Sequence, residues 1–148
     1  MIAFADASAL VKRYIAEPGA EELDRLAGVF VSALSQVEIS SAIARGEWDG
    51  RLLPGGGPAL LALVDADFDD ARSGAGQLAP IDVHEHVLRS ASGLVFRHAL
   101  RAGDAVQLAS AIVARDLEPE CQHFVCFDHR LRDAAAREGF AVVPRTAA

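Results

Sequence analysis

Ile2-Ala3-Phe4-Ala5-Asp6-Ala7-Ser8-Ala9-Leu10-Val11-Lys12 is the stretch from which the fold class is most directly inferred. Its first four residues are apolar without alternation, which is typical of a strand buried on both faces in the middle of a parallel sheet. A helix is predicted directly afterwards. Asp6 therefore stands at the carboxyl end of the strand, where open α/β sheets place their ligand sites.

Strands and helices alternate along the rest of the chain. Further strands are predicted at 29–31, 78–82, 123–127 and 140–143, with Pro80 placing the second of these at an edge or early in a strand. Helices are predicted over 10–15, 20–27, 37–44, 59–71, 85–100, 104–117 and 130–138, and a surface loop over 53–58. This alternation predicts a three-layer α/β/α sandwich with a central, mainly parallel sheet, formed by one domain over residues 1–148.

The composition limits the function classes. The 148 residues are 51% apolar and carry a net charge of −7, which argues against an indiscriminate nucleic-acid binder with a basic face. Lys12 is the only lysine, so the positive charges are almost all arginine. Cys121 and Cys126 form no disulfide-type pattern, and no apolar run is long enough to span a membrane. We expect a soluble, unprocessed, cytoplasmic protein.

Four acids stand at, or in the first turn of, predicted helices: Asp6, Glu38, Asp104 and Asp128. Each alone is adequately explained as a helix cap worth about 0.5 to 2 kcal/mol, and Ser35 with Glu38 fits a capping box. The carboxyl ends of parallel strands open on one edge, however, and would bring these acids together. At about 4 Å and an effective dielectric of about 20, each pair would repel by roughly 4 kcal/mol. Oxygen ligands of this kind suit Mg²⁺ or Mn²⁺.

The motifs around these acids carry a family resemblance. Residues 6–12, Val37-Glu38-Ile39, residues 103–111 (Gly-Asp-Ala-Val-Gln-Leu-Ala-Ser-Ala) and Phe124-Val125-Cys126-Phe127-Asp128 resemble the four acidic motifs of PIN-domain ribonucleases. Within that superfamily the chain is most similar to VapC-type toxins. The resemblance extends from Ile2 to about Pro144, in the family's order.

The resemblance implies roles for individual residues. Asp6, Glu38, Asp104 and Asp128 would form the catalytic acidic site, with Asp6 and Asp104 as the direct metal ligands. Ser8 and Cys126 would support this site. Cys126 is the one departure from the family pattern, because this position often holds Thr or Ser in the family. A thiol is the weaker hydrogen-bond donor, so the part played by Asp128 is the least defined.

The resemblance also implies an activity and partners. The chain would cleave RNA to 5′-phosphate and 3′-hydroxyl ends with Mg²⁺ or Mn²⁺, be neutralised by a cognate VapB-type antitoxin, and form a homodimer. A catalytically idle PIN-like binding module stays open as an alternative. An aspartyl-phosphate receiver or phosphatase is disfavoured, because Asp6-Ala7-Ser8 lacks a second acid and no lysine follows the later strands.

Several residues near the motifs have two interpretations. Gln107 lies one turn after Asp104 and either orients it or serves as a buried structural amide. Trp48, Phe30 and Phe68 are expected to be packing residues rather than base-stacking platforms. His84-Glu85-His86 lacks a third ligand for a transition metal. The arginines near the motifs either guide RNA or are solvated surface charge, and they are Arg13, Arg45, Arg101, Arg130 and Arg132.

Overall fold

The computed structural model describes residues 1–145, which form a sheet between two helical layers. The strands are β1 (Ile2–Ala5), β2 (Gly28–Ser32), β3 (Leu78–Ile81), β4 (His123–Val125) and β5 (Ala141–Val143). Their order is β3-β2-β1-β4-β5, and every pairing among them is parallel. The predicted sandwich is therefore confirmed, and the Pro80 strand lies at an edge of the sheet, as expected.

Helices cover both faces of the sheet. They are α1 (Ala7–Leu10), α2 (Glu21–Asp24), α3 (Ser35–Trp48), α4 (Gly56–Arg72), α5 (Glu85–His98), α6 (Ala102–Leu117) and α7 (His129–Arg137). One core lies between the sheet and α1, α3 and α4, and the other lies against α5, α6 and α7. Strand β1 serves both, because Ala3 and Ala5 face the first core while Phe4 faces the second. No helix within residues 1–145 is long and apolar enough to cross a membrane.

The strand order reverses beside β1, which places a ligand crevice at the end of that strand. From β1 the chain crosses to β2 on one side, whereas β4 pairs with β1 on the other. Ala5 is in register with Val125, and the Asp6 N–H donates to the Val125 carbonyl at 3.1 Å. The crevice beyond the carboxyl ends of β1 and β4 is the position where doubly wound sheets bind ligands.

Three predicted boundaries are wrong for local reasons. The first helix is only α1 and a following 3₁₀ turn (Val11–Arg13), a tighter winding that often ends a helix. Helix α4 begins at Gly56 inside the predicted loop, because Pro58 lies in its first turn, where no intrahelical N–H is needed. Strand β4 ends at Val125, and the Phe127 N–H leaves the ladder to donate to Ser8 Oγ at 3.0 Å.

Gly19 is held against the segment that follows β4, which gives a testable effect on stability. Its φ is +102°, and an added Cβ would lie 2.6 and 2.8 Å from two ring atoms of Phe127. Gly50 also has a positive φ, +73°, but an added Cβ there meets nothing within 4 Å. We expect Gly50→Ala to cost about 1 kcal/mol and Gly19→Ala about 1 to 3 kcal/mol more in urea unfolding. Equal losses would show that Phe127 yields without cost.

Candidate active site

A cavity of about 260 Å³ opens beyond the carboxyl ends of β1 and β4. The four predicted acids line it: Glu38 lies in α3 and Asp104 in α6, while Asp6 follows β1 and Asp128 precedes α7. The tertiary structure thus brings together residues that are up to 122 positions apart, from Asp6 to Asp128 (128 − 6). The lining residues are Asp6, Ala7, Ser8, Val11, Glu38, Ala42, Arg45, Asp104, Gln107 and Asp128.

Asp6 is the most deeply buried of the four acids, with 4% of its surface exposed. Its Oδ1 accepts hydrogen bonds from Ser8 Oγ at 2.8 Å and from the Ala9 N–H at 3.2 Å, so it also caps α1. Burial raises the pKa of Asp6 to about 6, and the bonds from Ser8 and Ala9 partly oppose that rise. The carboxylate is therefore held in place but is costly to ionise.

Glu38 is not part of a capping box. Helix α3 begins after Leu34, which makes no side-chain cap, and Glu38 Oε1 instead accepts a bond from Gln107 Nε2 at 2.6 Å. Gln107 is 1% exposed and also donates to Ser35 Oγ at 3.0 Å. Burial raises the pKa of Glu38, the Gln107 bond lowers it, and the charge of Asp104 raises it. Gln107 is thus a buried amide that orients Glu38, and the expectation that it orients Asp104 is wrong.

Asp104 and Asp128 form the outer part of the cavity. Asp104 is the third residue of α6 and is half-buried; burial raises its pKa, the charge of Asp128 raises it further, and Arg101 opposes both. Asp128 is exposed and caps α7, since its Oδ1 accepts from the Leu131 N–H at 3.0 Å. The acids therefore act on one another electrostatically, as expected of carboxylates that share a cavity.

Cys126 lies beneath the acids and is fully buried. Its Sγ accepts from the Asp128 N–H at 3.3 Å and lies 3.7 Å from Ser8 Oγ. Burial raises the pKa of the Cys126 thiol, and the charge of Asp6 raises it further. The thiol is therefore neutral at neutral pH, and it supports the turn that carries Asp128 by accepting a backbone hydrogen bond.

Two expectations for nearby side chains are wrong. Arg132 is neither a surface charge nor an RNA guide, because it is 8% exposed and donates to the carbonyls of Cys126, at 2.7 Å, and Pro144. Trp48 is not a core residue, since 81% of its surface is exposed, whereas Phe68 is buried. The amphipathic pattern of a helix could not show that Arg132 is buried or that Trp48 is exposed. Both lie on helices, and the elements packed against a helix determine which of its faces is buried.

Arg45 is the arginine that lines the cavity. It lies seven residues after Glu38 on α3, and this two-turn spacing puts both on the same side of the helix. The seven-residue spacing from Glu38 could therefore have identified Arg45 as a neighbour of the acids from the sequence alone. Arg13 instead bonds Gln77 on a different surface, and Arg130 is exposed on α7.

The donor set fits a hard divalent ion. Carboxylate oxygens and an amide line one cavity, and Mg²⁺ is commonly held by one or two carboxylates while it keeps several waters. Within residues 1–145 no three His, Cys, Asp or Glu side chains are close enough to hold an ion together. The same finding gives His84 and His86 no third ligand.

The fold is an α/β sandwich, and its acid cavity lies where the strand order of the sheet reverses, beside β1. No protein-family model matches the chain, and no curated protein matches it. Among solved structures, a chain of a toxin–antitoxin complex from Klebsiella pneumoniae is similar, with a TM-score of 0.62 and 15% sequence identity over 99% of each chain. At this identity the likeness shows that the two chains share a fold.

Proposed function

We propose that this chain is the toxin of a toxin–antitoxin pair and acts as an Mg²⁺- or Mn²⁺-dependent endoribonuclease of the PIN-domain, VapC type. The observation that carries the proposal is the convergence of four acids on one cavity at the carboxyl edge of the sheet. The four sequence motifs that resemble those of PIN-domain ribonucleases contain these same four acids. The fold shared with a chain of a toxin–antitoxin complex supports the biological setting.

In this proposal Asp6 and Asp104 hold the metal ion, while Glu38 and Asp128 complete the negative cavity. When bound, such an ion would neutralise charge at the scissile phosphate and would lower the pKa of an attacking water. The chain's own residues fix the carboxylates: Ser8 and the Ala9 N–H position Asp6, and Gln107 positions Glu38. Addition of the water oxygen to phosphorus would break the bond to the 3′ oxygen, which takes up a proton, so that the products are a 5′-phosphate and a 3′-hydroxyl.

The proposed partners follow from the same assignment. An antitoxin of the VapB type would cover the acid cavity and keep RNA out, and two copies of the chain would form a homodimer in the cytoplasm. The apolar residues after Asp6 offer little surface for such contacts, because Leu10 is buried and Val11, Tyr14 and Ile15 are partly buried against the first core.

An aspartyl-phosphate mechanism is not favoured by any contact in the cavity. Lys12, the only lysine of the chain, pairs with Glu17 at 3.3 Å and lies over the ring of Phe127. It does not line the acid cavity. We therefore retain the ribonuclease proposal, with an idle binding module as the outcome in which a metal binds but RNA survives.

Asp104→Asn provides the test. Purified wild-type protein should cut single-stranded RNA with Mg²⁺ or Mn²⁺, lose activity in EDTA, and leave 5′-phosphate ends that can be ligated and sequenced. Asp104→Asn removes a carboxylate at nearly constant shape, so cleavage should fall more than about 100-fold, beyond the usual loss for a residue that only supports a ligand.

Asp116→Asn is the matched control, because Asp116 lies on the same helix but is exposed and does not line the cavity. This variant should cleave like the wild type, and circular dichroism should show that both variants fold. If Asp104→Asn cleaves RNA at the wild-type rate, the assignment of the site is wrong. Metal-dependent thermal stabilisation without any cleavage would instead identify the idle binding module.

A further inference from the structure

An exposed tryptophan lies on the helix that forms one wall of the acid cavity. Trp48, the only tryptophan of the chain, is the last residue of α3 and is 81% exposed. Tryptophan is usually highly buried, and its ring joins an apolar face to a polar N–H, so an exposed indole near a cavity can contact a molecule bound there. The neighbouring acids are engaged elsewhere: Glu47 Oε1 accepts from the Gly55 N–H at 3.1 Å, and Asp49 pairs with Arg51 at 3.5 Å.

Arg45 is the second component of this surface. It lies three residues before Trp48, so the two side chains are neighbours about 4.5 Å apart along the helix axis. Arg45 lines the acid cavity, yet within residues 1–145 it forms no salt bridge, and Nη1 donates only to Ser41 Oγ, at 2.9 Å. Arg45 is therefore an exposed cation that borders the negative cavity without a carboxylate partner.

We propose that Arg45 and Trp48 form a binding strip for single-stranded RNA, in which Arg45 takes a backbone phosphate beside the acid cavity and Trp48 stacks on a base of the same strand. The proposal rests on the proposed function and adds two residues outside the group of acids that contact the substrate. Arginine presents a planar fork that suits phosphate, and an aromatic ring stacks on any unpaired base. A duplex hides its base faces, so the strip selects a single strand.

RNA fits this surface better than a second protein does, because the strip continues directly into the cavity. An unpaired guanidinium at the rim of four acids offsets the repulsion that a phosphodiester meets on entering. The single cation of the cavity lining lies on the same helix as the exposed indole, so one strand can contact both.

Tryptophan fluorescence tests the strip directly, because Trp48 is the only tryptophan. The Asp104→Asn protein in Mg²⁺ is titrated with a short single-stranded RNA of mixed sequence and with the same sequence as a duplex. Saturable quenching of the emission by the single strand, without quenching by the duplex, is expected. Binding of the single strand by anisotropy with unchanged Trp48 emission overturns the proposal.

Variants in the same background separate the two contacts. We expect Arg45→Gln and Trp48→Ala each to weaken single-strand binding about tenfold, and Trp48→Phe to restore most of it. Arg89→Gln is the charge-matched control, since Arg89 is exposed and pairs with Glu85 on α5; its affinity should be unchanged. If Trp48→Ala binds the single strand with wild-type affinity, the proposal is wrong. The proposal is also wrong if Trp48→Ala changes only the oligomeric state, because the surface would then be a contact between two copies of the chain.

The two proposals fail in different ways. If the wild-type protein binds and quenches with RNA but never cleaves it in Mg²⁺ or Mn²⁺, the nuclease assignment fails and the strip stands. If the wild type cleaves RNA and Arg45→Gln and Trp48→Ala in the active protein leave KM unchanged, the strip fails and the nuclease assignment stands.

Discussion

Asp6→Asn is expected to make the metal-free protein more stable at pH 7.5 while reducing RNA cleavage more than about 100-fold. The carboxylate of Asp6 is nearly fully buried, and its pKa is raised from 3.8 to about 6. A neutral amide keeps the Oδ1 acceptor for Ser8 Oγ and the Ala9 N–H but removes the buried charge. Stability and activity should therefore change in opposite directions.

The pH dependence of the wild type follows from the sign of this shift. Between pH 4 and 6 the native state binds a proton on Asp6 that the unfolded state has released, so the stability from protonated Asp6 is present at low pH and lost as pH rises through about 6. This rise in the pKa of Asp6 corresponds to up to about 3 kcal/mol. Asp6→Asn should lack this contribution.

Urea unfolding in EDTA at pH 4.5 and pH 7.5 measures this contribution as the difference in unfolding free energy between the wild type and Asp6→Asn. Asp116→Asn, at an exposed position, should follow the wild type at both pH values. Addition of Mg²⁺ or Mn²⁺ at pH 7.5 should raise the Tm of the wild type but not that of Asp6→Asn, because a ligand stabilises only the state that binds it. An Asp6→Asn protein less stable than wild type at pH 7.5 contradicts the argument.

Arg132→Met is expected to destabilise the protein by about 2 to 5 kcal/mol. The Arg132 guanidinium joins the Cys126 carbonyl, just after β4, to the Pro144 carbonyl, just after β5. Methionine fills the space of the side chain but leaves two acceptors without their charged donor, each worth about 1 to 3 kcal/mol when buried. The same loss loosens the turn from Cys126 to Asp128, so cleavage should become more temperature-sensitive.

Arg130→Met is the matched control, because Arg130 lies two residues earlier on the same helix and is exposed. Its unfolding free energy should stay within about 0.5 kcal/mol of wild type. Arg132→Lys should fall between the two, since an ammonium group lacks the planar fork that reaches both carbonyls. Equal unfolding free energies for Arg132→Met and Arg130→Met would show that the two carbonyls find other partners.

The acid cavity was the part of the site most accessible to sequence reasoning. Asp6 and Asp128 follow strands, and the parallel topology alone predicted that such ends share an edge. Gln107 illustrates the limit: its helical position put it near Asp104, but the tertiary structure brings its amide to Ser35 and Glu38 at the start of α3. Local spacing describes one helix and contains no information about which helix lies opposite.

Buried strands and helical periodicity are local patterns, so the sheet, its parallel connections and the edge where the acids meet could be predicted from the sequence. The burial of Arg132, the exposure of Trp48 and the absence of a carboxylate partner for Arg45 emerge only in the folded structure. These outcomes depend on long-range packing, since burial of a helical side chain is set by the elements placed against it. The convergence of the acids was thus encoded in the order of strands and helices, whereas the surface around them was decided by how those elements pack.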